Sequence, residues 1–258
     1  MKSVTKKSVK THPKGNRGIQ QVHLKSGSRL PKDTVLPSSQ VNSAQQEAIL
    51  HMNGPLLIIA GAGTGKTHVI TSRILYLLLK KQIPAQQILA LTFTEKAAQE
   101  MQERVDMAMP LSYEEIAIKT FHGFCESVLR ERGSEIGIDP SYKLLDQAGQ
   151  WLFLKKHLFA LELDYFRPLG NPHKFLFILI NHFSRLKDED ISPEMYLAYD
   201  ETDKEQAEKT LEIAKAYGMY QKLKLQENCL DFGDLQYYAL RLFEKRISVL
   251  DQYDQFVP

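Results

Sequence analysis

Ala60-Gly61-Ala62-Gly63-Thr64-Gly65-Lys66-Thr67 decides the reading of this 258-residue chain. Before it stands Leu56-Leu57-Ile58-Ile59, an apolar run that reads as a buried strand. After it, Val69, Ile70, Ile74, Leu77 and Leu78 recur at helical spacing. A glycine-rich turn between strand and helix, closing on Gly-Lys-Thr, is the context a P-loop requires. Glycines let successive backbone N–H groups face phosphates. The helix N-terminus adds partial positive charge. Lys66 supplies a point charge to the β- and γ-phosphates, and the Thr67 hydroxyl suits Mg²⁺. The strict pattern begins with Gly where Ala60 stands. The competing reading is a strand-to-helix turn with a chance lysine.

A second strand-helix unit and a third strand follow. Ile88–Phe93 reads as a strand, and a helix runs from Glu95 to about Met107 with Ala97, Ala98, Met101 and Val105 on one face. Ile116–Phe121 reads as a third strand. Strand, helix, strand, helix, strand implies a parallel sheet under helices, an α/β fold. After about Arg132 the strand signal stops. Residues 133–227 read as an all-helical insertion, with helices near Trp151–Leu161, Lys174–Leu186 and from Pro193 towards Glu227. Residues 228–258 return to the core, with a helix near Leu235–Phe243.

Ligands bind beyond the carboxyl ends of parallel strands, so the turns after all three strands face one side. Thr92, Phe93, Thr94 and Lys96 follow the second strand; Thr120, Phe121 and His122 follow the third. Aromatic rings, hydroxyls and a cation there could stack bases and hold phosphates. Singly, a strand-end Phe is more often core and a helix-start Thr more often a cap.

Residues 1–40 carry nine Lys or Arg against the single Asp33, a charge of +8 in a chain whose total is +2. The other residues therefore sum to −6. Rich in Pro, Gly and Ser, this segment reads as a disordered basic tail that either touches nucleic acid or only aids solubility. Cys125 and Cys229 have no metal-ligand spacing and read as reduced thiols of a cytoplasmic protein. The longest apolar runs, Pro55–Ala60 and Phe175–Ile180, are too short to span a bilayer.

Taken in order, these segments resemble the N-terminal part of the UvrD/Rep/PcrA helicases, superfamily-one DNA translocases running 3′ to 5′. Asn42-Ser43-Ala44-Gln45 resembles the Q motif, and Ala60–Thr67 the family's P-loop, initial Ala included. Thr92–Met101 resembles motif Ia, and Thr120-Phe121-His122-Gly123-Phe124 motif Ib. Leu230-Asp231-Phe232-Gly233-Asp234-Leu235 resembles the segment that brings the chain back from the helical insertion. The resemblance covers residues 41–235. Val41 stands where Leu is usual, Glu95 where Asn is common, and His68 where Arg is frequent.

The resemblance implies a RecA-like core from 41–132 and 228–258. ATP and Mg²⁺ would be held by Gln45, which reads adenine, by Ala60, Gly61, Ala62, Gly63, Thr64, Gly65, Lys66 and Thr67, and by His68. Lys66 and Thr67 carry the catalytic share, and Thr67 ligates Mg²⁺. Single-stranded or partly duplex DNA is the expected partner, at Thr92, Phe93, Thr94, Lys96, Thr120, Phe121 and His122. The acidic pair that activates water and the second RecA-like domain with its arginine finger match nothing in these residues. The chain is thus expected to be an ATP-binding part that stops before the Walker B segment, with negligible turnover by itself. Asp188-Glu189-Asp190 follows a helical stretch and reads as a solvated helix end. A nucleotide-dependent DNA-binding module without turnover, and a non-helicase P-loop enzyme such as a nucleotide kinase, are the other readings.

Overall fold

The computed structural model describes residues 41–52, 54–61, 63–109 and 115–253. The basic tail 1–40, Ala62 and residues 254–258 lie outside them.

Helix α1 (Ser43–Leu50) opens on a capping box: Asn42 Oδ1 accepts from the Gln45 N–H, and Gln45 Oε1 accepts from the Asn42 N–H, each at 2.9 Å. Helix α2 (Lys66–Leu79) starts directly after Gly65 and buries Val69, Ile74, Leu75 and Leu77. Strand β1 (Leu89–Thr92) leads through the Thr94 cap into α3 (Glu95–Ala108), whose inner face is Ala98, Met101 and Val105. Strand β2 (Ala117–Thr120) leads at once into α4 (Phe121–Arg132). β1 and β2 pair in parallel with Thr92 opposite Thr120. Helices α2 and α3 pack together over a core that includes Ile74, Leu77, Ile88, Met101, Val105 and Ile116.

The expected strand Leu56–Ile59 is not realised as one: these residues join no ladder among the described residues, and Leu57 and Ile59 are 83% and 88% exposed. An apolar run becomes a buried strand only when another strand takes up its backbone groups.

The stretch 133–227 is mostly helical, with one correction. β3 (Lys143–Leu145) pairs in parallel with β4 (Cys229–Asp231), so among the described residues the strands form two separate two-stranded sheets. Around them lie α5 (Gln147–Lys156), α6 (Leu176–Asp188), α7 (Pro193–Leu197) and α8 (Lys204–Gln226). The helix expected from Pro193 onward is thus two helices, broken across Asp200-Glu201-Thr202-Asp203, residues that favour caps and turns. Leu154, Leu176, Leu179 and Phe183 are fully buried here, the Phe183 ring stacked on Tyr217 and Tyr220. Each such side chain contributes about 1.5–3 kcal/mol. After β4 come α9 (Phe232–Lys245), which packs on α4, and α10 (Ile247–Tyr253). No helix among the described residues is long and apolar enough to cross a membrane.

Candidate nucleotide and nucleic-acid sites

The loop before α2 has the backbone its glycines allow. Gly63 and Gly65 sit at φ +73° and +87°, where a side chain would be strained. Lys66 Nζ donates to the carbonyls of Ala60 at 3.0 Å and Gly61 at 2.6 Å, and Thr64 Oγ1 donates to the Gly61 carbonyl. Gln45 reaches the loop from α1, its Nε2 donating to the Thr64 carbonyl at 3.1 Å. A cavity of about 190 Å³ lies there, lined among others by Asn42, Gln45, Ile59, Ala60, Thr64 and Lys66. Two larger cavities, of about 370 and 410 Å³, share Pro193, Gly218 and Lys222 and hold none of the expected site residues. Arg73 fixes α1 against α2 by donating to the carbonyls of Ala48, Ile49 and His51. Thr67 and His68 occupy the first turn of α2, half-buried, and the His68 Nε2 is buried without a hydrogen-bond partner among the described residues. The loop, the lysine on the first helical position and the adjacent threonine fit a triphosphate with its metal: the ammonium that now rests on carbonyls is free to turn to phosphate.

A second group forms where β1 and β2 end. The parallel register sets the two turns side by side, so the Phe93 and Phe121 rings meet at 5.3 Å. Phe93 is 88% exposed and therefore not core. Phe121 is partly exposed, and Lys96 extends into solvent beside Glu100. The threonines follow the bland reading. Thr94 Oγ1 accepts from the Ala97 N–H, and Thr120 Oγ1 accepts from the Gly123 N–H, each capping its helix. Thr92 lies half-buried in the ladder. His122 meets the edge of Phe232 at 5.8 Å, which adds a ring from the start of α9 to this face.

Two features escaped sequence reasoning. One is Phe232, whose signal is the Asp231-x-x-Asp234 capping box around it. The other is what holds that box. Lys187 of α6 and Lys224 of α8, both fully buried, converge on Asp231 and Asp234. Lys187 Nζ donates to both Asp231 oxygens at 2.7 and 2.6 Å, and Lys224 Nζ donates to Asp231 Oδ2 at 2.6 Å and to Asp234 Oδ2. Tyr220 Oη donates to Asp231 at 3.0 Å and Gln221 Nε2 to Asp234 at 3.2 Å. Burial pushes the Asp231 carboxyl up, but the Lys224 and Lys187 ammoniums outweigh it and hold it far below the usual carboxylate range. Neither aspartate is available for metal chemistry. Asp190 is likewise engaged, by Arg241.

The nucleotide loop and the strand-end face are connected through the packing of α2 on α3. The comparisons with known proteins point the same way. The family model for the UvrD/REP helicase N-terminal domain matches residues 41–257. The chain is 37% identical over 223 residues to the ATP-dependent DNA helicase PcrA of Bacillus subtilis, covering 84% of this chain and 28% of that protein. It is 36% identical to a probable DNA helicase II homolog of Mycoplasma capricolum, and 36% identical to PcrA of Staphylococcus aureus, in each case over 83% of this chain and 28% of the relative. The chain thus spans little more than a quarter of the length of these relatives. With the match running from residue 41 to residue 257, the chain belongs to the UvrD/REP helicase family and corresponds to its N-terminal domain.

Proposed function

We propose that this chain is the ATP- and single-strand-binding part of a UvrD-type helicase that moves 3′ to 5′ along DNA and unwinds what is paired ahead. Its core, in this reading, is a RecA-like unit from 41–132 and 228–258, interrupted by the insertion 133–227. The observation that carries the proposal is the exposed Phe93–Phe121 pair at the carboxyl ends of two parallel strands, on the same unit as a P-loop. Stacking on such rings is worth about 1–3 kcal/mol per base and tolerates any sequence, which suits an enzyme that must step along every sequence. Phe232 extends the row through His122.

At the nucleotide, Lys66 leaves the Ala60 and Gly61 carbonyls for phosphate, and the backbone N–H groups from Gly63 to Thr67 face the same charge. Gln45 reads adenine by giving up its contact with Thr64, which links base recognition to the loop's shape. Thr67 would hold Mg²⁺, which when bound neutralises charge on the phosphate oxygens. Two free thiols, Cys125 and Cys229, suit a cytoplasmic setting.

A reading without turnover keeps one specific support. Among the described residues no carboxylate pairs with Lys66, and Asp231 and Asp234 are consumed in their cluster. Water activation needs a positioned acid, so negligible ATP hydrolysis is expected from this chain by itself. The test is calorimetry with Mg-ATP, oligonucleotide binding, and an ATPase assay on this chain and on the whole protein. Single-strand-stimulated hydrolysis by the whole protein supports the helicase reading. Hydrolysis indifferent to DNA, with a second small substrate, would favour a P-loop kinase.

A further inference from the structure

Glu95 stands between the expected DNA contacts Thr94 and Lys96 and carries the wrong sign for a phosphate-binding face. It opens α3 one residue after the Thr94 cap. Its Oε1 accepts a hydrogen bond from the Thr120 hydroxyl at 2.8 Å, across the β1–β2 register. Thr120 is 4% exposed, and its oxygen also receives the Gly123 N–H at 3.0 Å. With the hydroxyl proton committed to Glu95, the oxygen presents a lone pair to Gly123. That hydroxyl can no longer donate to a phosphate. Among the described residues no cation lies within ion-pair range of Glu95, and the neighbouring Lys96 lies 4.0 Å from Glu100. An unneutralised carboxylate therefore sits beside the Phe93–Phe121 pair.

We propose that Glu95 sets the strength and salt dependence of single-strand binding at this face, holding the Thr120 hydroxyl and opposing the phosphate backbone so that the stacked strand is released easily. The inference rests on the single-strand reading above. A protein that steps along a strand has to let go repeatedly, and a fixed anion beside the stacking rings weakens the hold without removing the rings. The bland role of a first-turn carboxylate is to favour the N-terminus of α3. That role predicts a lower melting temperature for a neutral variant and no change in DNA binding.

Glu95→Gln separates the two. Glutamine keeps an oxygen to accept from Thr120 and loses the charge. Binding of a fluorescently labelled oligothymidylate is measured by anisotropy across a salt series for the parent chain, E95Q, E95A and F93A, each with a melting curve. E95Q is expected to bind about three- to tenfold more tightly at low salt, the gain shrinking as salt screens it. The slope of log affinity against log salt should steepen by up to about one, because the repulsion that added salt screens in the parent is gone. E95A should tighten at least as much, since it also frees the Thr120 hydroxyl to donate to a phosphate. Parent-like affinity and slope in E95Q, with F93A weakened, overturn the role of Glu95 and leave the binding face standing. Parent-like binding by F93A, or no binding by the parent and E95Q alike, overturns the face and this inference together.

Discussion

The return segment around β4 and α9 and the stretch around the P-loop treat their side chains in opposite ways. At the return segment four charges, Asp231 and Asp234 of the segment and Lys187 and Lys224 reaching it from α6 and α8, are almost wholly excluded from solvent. At the glycine-rich loop, Leu57 and Ile59 lie open to solvent and the loop's cation, Lys66, rests on two backbone carbonyls. Buried charges persist only where each is paired and hydrogen-bonded, so the first region is a rigid joint between the insertion and the start of α9. An exposed lysine held by backbone carbonyls can exchange them for a ligand, so the second fits the nucleotide-binding role proposed above.

Breaking the joint should have the largest effect. Lys224→Met leaves buried aspartate charge undercompensated and is expected to cost about 3–5 kcal/mol in urea unfolding. A loss near zero would mean that the cluster is open to water. The cluster also sets an acid limb. Because the folded Asp231 carboxyl titrates below its unfolded value near 3.9, the unfolded chain takes up the proton first. The stabilisation is therefore complete above about pH 5 and is lost as pH falls through and below the unfolded value. Stability measured from pH 7 down to pH 2 should show that limb, and Asp231→Asn should flatten it.

Changes on the other side should leave stability alone and strike binding. Lys66→Ala is expected to weaken Mg-ATP binding by about 1.5–3 kcal/mol, the worth of hydrogen bonds to a charged group, with an unchanged melting temperature. Equal ATP affinity in calorimetry would refute the P-loop assignment. Phe93→Ala is expected to cost about 1–3 kcal/mol of single-strand affinity while moving stability by no more than about 0.5 kcal/mol; a large unfolding effect would return Phe93 to the core. The smallest change is expected at Leu57→Lys, within about 0.5 kcal/mol in the same unfolding assay, because the side chain it replaces is 83% exposed.

What could be read ahead of the structure followed from local rules. Lys66 at the first position of α2 was legible because glycines at φ > 0 and a helix start leave one geometry for Gly-Lys-Thr. β1, α3 and β2 were legible because their residues recur with a period of their own and α3 follows a Thr cap, whereas α4 was not read and takes Phe121, expected as the end of the third strand, as its first residue. Three-residue strands carry no period, so β3 and β4 stayed invisible until their pairing showed them. Lys187 and Lys224 read as surface residues of polar helices, and no rule of spacing joins them to aspartates 44 and 7 residues away.

The sequence by itself determined the glycine-rich turn into α2, the Thr cap of α3 and the strand-to-helix passage from β1 to α3, because those depend on neighbours a few residues apart. Only the tertiary structure decided which ends meet. It put Phe93 against Phe121, Glu95 against Thr120 and two lysines against Asp231 and Asp234. It also left Leu56–Ile59 without a ladder among the described residues, since a strand exists only where another backbone takes up its hydrogen bonds.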